Sequence, residues 1–449
     1  MRSRRPKGLH DLCGWPLVSW PVHAALDAGA KRVTVVDSPA RALGGALPDG
    51  VASVVQETAN GTGGAVLAAA PEIDRSLPVL ILSGDVPLIG AGVIAELLET
   101  HAAAGVGATI LSTRLSNPDG YGRVIRDGDG FVSRVVETKS PGDASADELA
   151  VNEINAGVYV FDSALLIETL PTLSTDNAQG ELYITDALAK LRDGGAKIAA
   201  LEVQDARVAL GVNDRVQLAE VRAIAQLAIN ERHMRSGVTI VDPGTTYIDA
   251  GVTIGEDTRI EPGSRLLGAT IVGSEATVGP QSTLIDAQVG DRAQVRVAWV
   301  QEAIVGEGVS VGPFTHLRPG SVLSERAKAG AFVEIKNSNI GIAAKVPHLS
   351  YIGDADVGDE SNLGAATITA NYDGRAKHRT RIGKRVQSGV DTTFVAPVGV
   401  GDEAYTGAGS VITEDVPPGA LAIARPKQVH IADFATRRKE GAGEEGGSE

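Results

Sequence analysis

EIKNSNIGIAAKVPHLSYIGDADVGDESNLGAATITANYDG, from Glu334 to Gly374, decides the fold. Aliphatic residues recur in it at spacings of five or six, often with glycine next: Ile340-Gly341, Val346, Ile352-Gly353, Val357-Gly358, Leu363-Gly364. Between them sit polar residues able to do chemistry: Lys336, His348, Tyr351, Asn362 and Asn371. The segment Asn371–Gly374 breaks the pattern, and a regular scaffold interrupted by reactive groups is where a site is expected. The same period extends to both sides. Ile254, Ile260, Leu266, Val272, Val278 and Leu284 are six apart, as are Val305, Val311, Leu317 and Leu323, and then Phe394, Val400, Thr406 and Ile412. Six-spaced aliphatics over this length predict a β-helix of hexapeptide repeats, its aliphatics stacked inward as ladders and glycine relieving the corners. A solenoid cannot close its own ends, so its tail has to cap it.

Upstream the pattern changes. Asp214 and Gln217 resemble a capping box. Leu218, Val221, Ile224, Ala225, Ala228 and Ile229 then form one apolar stripe, which predicts a helix of about 22 residues, roughly 33 Å long, ended by Gly237. His233 and Met234 near its end read as surface or packing groups. Before that helix, short apolar runs alternate with helical patterns. The predicted strands are Arg32–Val36, Val79–Leu82, Ala108–Ser112, Val132–Val136, Gly157–Phe161 and Ile198–Val203; Pro16–Ala28, Gly63–Ala70 and Gly92–Ala103 read as helices. Such alternation predicts a mostly parallel sheet covered on both faces, with ligands at the carboxyl ends of its strands. The expected domains are 1–215, a helical linker 216–236, the repeats 237–435 and a charged, Gly-rich, disordered tail 436–449.

Composition bounds the function. At 449 residues the chain is long enough for two or three full cores. A net charge of −15 argues against nucleic acid as a partner. No apolar run is long enough to span a bilayer, and the basic start MRSRRPKGLH has no apolar core behind it, so neither a membrane nor a secretory role is expected. The single cysteine, Cys13, excludes an internal disulfide framework and fits the cytoplasm.

Several short motifs carry chemistry. The strand Val79–Leu82 ends in Ser83-Gly84-Asp85, which places a carboxylate at a strand's carboxyl end. Gln56 and Gly61-Thr62-Gly63-Gly64 form a Gly-rich turn entering a helix, able to present N–H groups to phosphate or a nucleobase. Gly120-Tyr121-Gly122-Arg123, Val136-Glu137, Asn152-Glu153-Ile154-Asn155 and Gly211-Val212-Asn213 follow. Together with the opening Met1-x-Ser3-x-x-Pro6-Lys7-x-Leu9-His10, and in this order, they resemble the sugar nucleotidyltransferases. The match is to the uridyltransferase half of the bifunctional enzymes that make UDP-N-acetylglucosamine for the cell wall. The resemblance implies that Lys7 neutralises phosphate and that Gln56, Gly61 and Thr62 hold uracil. It further implies that Asp85 and Asn213 hold Mg²⁺, and that Gly122, Glu137 and Asn155 hold the sugar. That family begins with a strand and a loop of the type LAAGxGTRM. The sequence starts at the Met of that motif, so the expectation is of a natural protein starting further upstream, with uridyl transfer poor in the 449 residues alone.

In the repeats, Arg318-Pro319-Gly320, Phe332-Val333-Glu334-x-Lys336, His348-Leu349-Ser350-Tyr351, Asn362-x-Gly364-Ala365 and Asn371-Tyr372-Asp373-Gly374 resemble the acetyltransferase half of the same family. Acetyl transfer to an amino sugar needs a base for the amine proton. A histidine, titrating near neutrality, suits that task, and His348 is the candidate. Arg318, Lys336 and Tyr351 would grip a sugar phosphate. By resemblance Asn362 contacts the sugar, and Ala365, Asn371, Tyr372, Ala408 and Arg425 approach acetyl-CoA. The family's Gly-Ser-Asp-Thr is here Gly389-Val390-Asp391-Thr392, which removes one hydroxyl. The implied function is acetylation of glucosamine 1-phosphate with acetyl-CoA and uridyl transfer from UTP with release of pyrophosphate, in a homotrimer. Two alternatives stand beside it: an enzyme that only acetylates, and a non-catalytic regulatory scaffold.

Overall fold

The six-residue ladder becomes three flat faces. In the computed structural model, which describes residues 1–138, 144–176 and 179–444, the repeats form parallel sheets of seven, ten and nine strands. Each coil visits all three, so Ile260 pairs with Val278 and Leu266 with Leu284 one coil on. The result is a left-handed parallel β-helix. Ile260, Leu266, Val272, Val278 and Leu284 are buried to 2% exposure or less, which makes the ladder the core. Hydroxyls close the interior: the Thr258 hydroxyl donates to Gly273 O and accepts from Ala276 N, pairing backbone groups that no sheet reaches.

The corners differ from expectation. They carry non-glycine residues at positive φ, among them Asp257, Glu275, Phe314, Phe332 and Leu349. Glycine follows the aliphatics for another reason. A Cβ on Gly273 would lie 2.3 Å from Asp291 Oδ1 and 2.8 Å from Asp291 N, so glycine is there to let successive coils touch. The coil also steps from Ile340 to Val357 and then from Val357 to Ile382, because the loop Asn371–His378 is inserted between them.

The chain divides into two compact units, Met1–Ile229 with Asp249–Gly251, and Asn230–Ile248 with Val252–Glu449. In the first, β1 (Thr34–Asp37) pairs in parallel with β2 (Ala52–Val55). A second sheet holds β3 (Val79–Leu82), β4 (Ala108–Arg114), β5 (Arg123–Arg126), β6 (Val132–Val136), β7 (Glu153–Phe161) and β8 (Ile198–Val203). Only β8 and β4 pair in parallel there. The expected mostly parallel sheet is therefore corrected. The long β7 runs between β3 and β4 against both, and β5 and β6 form an antiparallel hairpin beside it. Helices α1 (Ser19–Asp27), α2 (Thr62–Ala69), α3 (Ala91–Ala104) and α4 (Ile184–Asp193) cover these strands. Leu166, Leu188 and Leu191 pack with Ile110 and Phe161 in one core; Ile94 and Leu97 pack with Leu111 and Val160 in another.

Helix α5 spans Arg215–Arg235. Its cap is reciprocal: Asp214 Oδ1 accepts from Gln217 N, and Gln217 Oε1 accepts from Asn213 N. Leu218, Val221, Ala225 and Ile229 are buried as the stripe requires, whereas Ala228 faces solvent. His233 is a packing group, 6% exposed. Of the expected tail 436–449, residues 445–449 lie outside the described residues, and residues 436–444 fall within the helix Phe434–Glu444. Its Ala, Lys and Glu are good helix formers, which outweighs the two glycines.

Candidate active sites

In the first unit a cavity of about 1290 Å³ opens beside β1 and β3, and Lys7, Thr62, Asp85, Glu137 and Thr185 are in its wall. Asp85 follows the carboxyl end of β3, as the sequence predicts. The Lys7 ammonium lies 2.5 Å from Asp85 Oδ2 and 2.7 Å from Asn213 Oδ1, so three predicted residues meet at one point. Three more meet at the start of α2. The Gln56 amide donates to Asn60 Oδ1 and Gly61 O, and Thr62 Oγ1 accepts from Ile184 N. Gly61 has φ 97°, and a Cβ on it would lie 2.6 Å from Leu182 O, so no other residue fits this turn. A third group joins β5 to β7: Gly122 O accepts from Asn155 N at 2.9 Å, the Asn155 amide donates to Tyr159 OH at 2.6 Å, and Thr185 reaches Glu137 Oε1. Burial pushes the Tyr159 hydroxyl well above its usual range, so it stays protonated.

In the second unit the charged residues gather on one face. Arg318 pairs with Glu334 at 2.8 Å, and Glu334 stands in register with Tyr351. Lys336 lies 3.3 Å from Asp354 Oδ2. Asp354 also accepts from the amides of Asn337 (2.6 Å) and Asn371 (2.5 Å). Desolvation works to raise the Asp354 carboxyl, but these donors and Lys336 outweigh it and hold it below its ordinary value. Lys377, on the inserted loop, stands beside Lys336. The nearness of the two amines pushes Lys377 below the usual lysine range, while Lys336 is raised, by Lys377 and by Asp354. Two like-charged amines in contact, with Arg318 near, form a site short of negative charge.

His348 ends the strand Lys345–His348 and is exposed. Among the described residues nothing bonds its imidazole; its carbonyl accepts from Ser350 Oγ and Ala366 N. Leu349, at φ 51°, turns the corner into the strand Tyr351–Gly353. Above His348 the coils stack through Asp391 N to Ala365 O and Gly409 N to Val390 O, and Arg425 Cδ lies 3.9 Å from the Cβ position of Gly409. Ala365, Val390, Ala408 and Arg425 thus climb one edge that begins at His348. Asn362 bridges Lys345 and Gln387 in the coil with Ala365; Tyr372, 61% exposed, bridges to Lys377.

The comparisons meet this geometry in both units. A family model described as nucleotidyl transferase matches residues 2–207. The bifunctional protein GlmU of Mycolicibacterium vanbaalenii is 46% identical over 98% of this chain and 91% of its own length. That of Mycolicibacterium gilvum is 47% identical over 98% and 90%, and that of Mycobacterium tuberculosis 46% over 98% and 91%. The chain belongs to the bifunctional GlmU family. In this GlmU family member, sequence reasoning passed over Lys377, because it lies where the repeat is broken and no period marks it. Thr185 was missed for lack of any motif. Val390, in place of the family's serine, is 54% exposed on the edge above His348.

Proposed function

We propose that the chain makes UDP-N-acetylglucosamine in two steps, acetylating glucosamine 1-phosphate in the β-helix and joining the product to UTP in the α/β unit. The observation that carries the first step is the Arg318–Lys336–Lys377 cluster. A sugar phosphate would bring the two negative charges that relieve the contact between the lysines, through charge-assisted hydrogen bonds. His348 is then the base. It takes a proton from the amine as nitrogen attacks the thioester carbon. The C–S bond breaks and the proton passes to the departing CoA sulfur. Asn362 faces the sugar in this reading, and Ala365, Asn371, Tyr372, Ala408 and Arg425 the coenzyme.

For the second step Gln56, Gly61 and Thr62 hold the uracil, Gly122, Glu137 and Asn155 the acetylated sugar, and Lys7 the phosphates. Among the described residues no group of three His, Cys, Asp or Glu could hold a metal unaided. Asp85 and Asn213 nonetheless turn two oxygens onto one cation, the Lys7 ammonium. That suits Mg²⁺, which takes its other ligands from phosphates and water. Bound there, Mg²⁺ would offset charge on the α-phosphate. Lys7 then moves from Asp85 to a phosphate, and the sugar phosphate attacks in line, releasing pyrophosphate.

No helix of the described residues is long and apolar enough to cross a membrane, and we place the enzyme in the cytoplasm. We also propose a homotrimer. Phe314 and Phe332 stack at 5.1 Å on the outside of the coil, with Leu349 next in the ladder, each at least 58% exposed. Apolar surface in such a row marks an interaction surface, which we assign to other copies of the chain.

The test is to assay both half-reactions on the purified chain. Thiol release from acetyl-CoA that requires glucosamine 1-phosphate, and pyrophosphate release from UTP that requires N-acetylglucosamine 1-phosphate and Mg²⁺, are expected. A chain active in neither would refute the reading, and a regulatory scaffold would take its place.

A further inference from the structure

Among the described residues Arg123 is the largest fully buried side chain, 1% exposed, yet no carboxylate among them pairs with it. Its Nη1 donates to two carbonyls, Pro118 O at 2.6 Å and Tyr121 O at 2.5 Å, and its Nε is buried without a partner. Burying a cation this way is costly, and core packing does not need it, because an aliphatic residue would fill the space at less cost. The bonds it does make converge on one loop. Tyr121 N donates to Pro118 O, Gly120 takes φ 82°, and Tyr121 O accepts a second bond, from the Thr138 hydroxyl at 2.8 Å. The Tyr121–Gly122 peptide is therefore held by two donors on its oxygen.

A trans peptide points its C=O and its N–H in opposite directions. Fixing Tyr121 O toward Arg123 and Thr138 leaves the Gly122 N–H directed away from them. That N–H has no partner among the described residues, although Gly122 is half-buried. On the other side of the residue, Gly122 O is tied to Asn155 N, and a Cβ at Gly122 would stand 3.1 Å from Val135 Cγ1. The segment is thus clamped on both sides of one free donor.

We propose that Arg123 is a positioning residue for the uridyltransferase site, aided by Thr138: it presets the Gly122 N–H as a hydrogen-bond donor to the acetylated sugar. This rests on the reading of Gly122, Glu137 and Asn155 as the sugar's contacts. Arg123 itself touches no substrate. Its effect is on the sugar half of the ligand and not on the nucleotide half.

The experiment is calorimetric titration of the full chain with UDP-N-acetylglucosamine and, separately, with UTP. Arg123→Met should weaken the first about tenfold and the second less than about twofold, the worth of one preset hydrogen bond. Arg123→Lys, which keeps a charged donor, should recover part of the loss. Thr138→Val should cost about threefold with the same selectivity, and it carries the test should Arg123→Met not fold. Wild-type affinity in Thr138→Val and Arg123→Lys, or equal loss for both ligands, overturns the proposal. A wild-type chain that binds UTP but not UDP-N-acetylglucosamine overturns the sugar-site reading on which it rests.

Discussion

Replacing Lys336 by Met keeps the length of the side chain and removes its charge. The ammonium has two neighbours in the free protein, Asp354 at 3.3 Å and Lys377. Loss of a charge-assisted hydrogen bond to a phosphate costs about 1.5–3 kcal/mol, or roughly 10–150-fold in affinity. The upper end is not expected. Without Lys336, Lys377 is no longer repelled and regains its full charge, which offsets part of the loss. We therefore expect glucosamine 1-phosphate to bind about 10–50-fold more weakly. Stability should change little, because the lost attraction to Asp354 and the lost repulsion from Lys377 oppose each other, and Asp354 keeps the amides of Asn337 and Asn371. The assay is CoA release at varied glucosamine 1-phosphate under saturating acetyl-CoA, then the converse, with a direct titration of the sugar phosphate, since KM equals Kd only when chemistry is slow. Apparent affinity for acetyl-CoA should move less than about threefold, and uridyl transfer not at all. A variant whose main defect lies in acetyl-CoA would show that the cluster serves the coenzyme and that the reasoning is wrong.

His348→Ala should lower acetyl transfer by about a hundredfold or more and leave uridyl transfer intact; near-normal acetylation at neutral pH would remove it as the base. Glu153 is 3% exposed and holds Arg126 through two bonds, of 2.6 and 2.9 Å, with Ser112 at 2.7 Å. Burial tends to raise it, but Arg126 and Ser112 prevail and its folded pKa is lowered, so its stabilisation is complete above the unfolded value and lost as pH falls through the folded one. Glu153→Gln should thus cost about 3 kcal/mol near pH 7 in urea unfolding and converge on wild type in acid; a pH-independent difference would contradict this. His233 is pushed down to about 4 by burial and then by Arg232, so the fold keeps it neutral while the unfolded chain protonates from about 6.5. Stability should fall by about 3 kcal/mol between those values, and His233→Gln should flatten that slope.

What was legible in the sequence follows from which forces leave a period. The β-helix was, because every inward residue meets the same ladder, and Ile260, Leu266 and Val272 cannot depart from six without leaving the core. In the α/β unit Val79–Leu82, Val132–Val136 and Ile198–Val203 were read to the residue. The strand at Gly157–Phe161 was read short. It begins at Glu153, a charge in a buried strand, which is satisfied by Arg126, Arg114 and Ser112, all far along the chain. Arg123 hid the strand Arg123–Arg126 in the same way. Strand direction was misread for a related reason: nothing local to β7 records that it runs against β3 and β4.

The sites divide along the same line. Lys7, Asp85 and Asn213 come together from three distant segments, and motif order alone named them. Lys377 shows the limit. Its neighbour Lys336 sits in a regular strand and stood out in the sequence, but Lys377 hangs from a loop whose length, not its pattern, brings it across to Lys336. A repeat fold specifies its scaffold everywhere and its chemistry only where it departs from the repeat. The place to search such a sequence for missed ligands is therefore the insertion, here Asn371–His378, and the residues to test first are its cations.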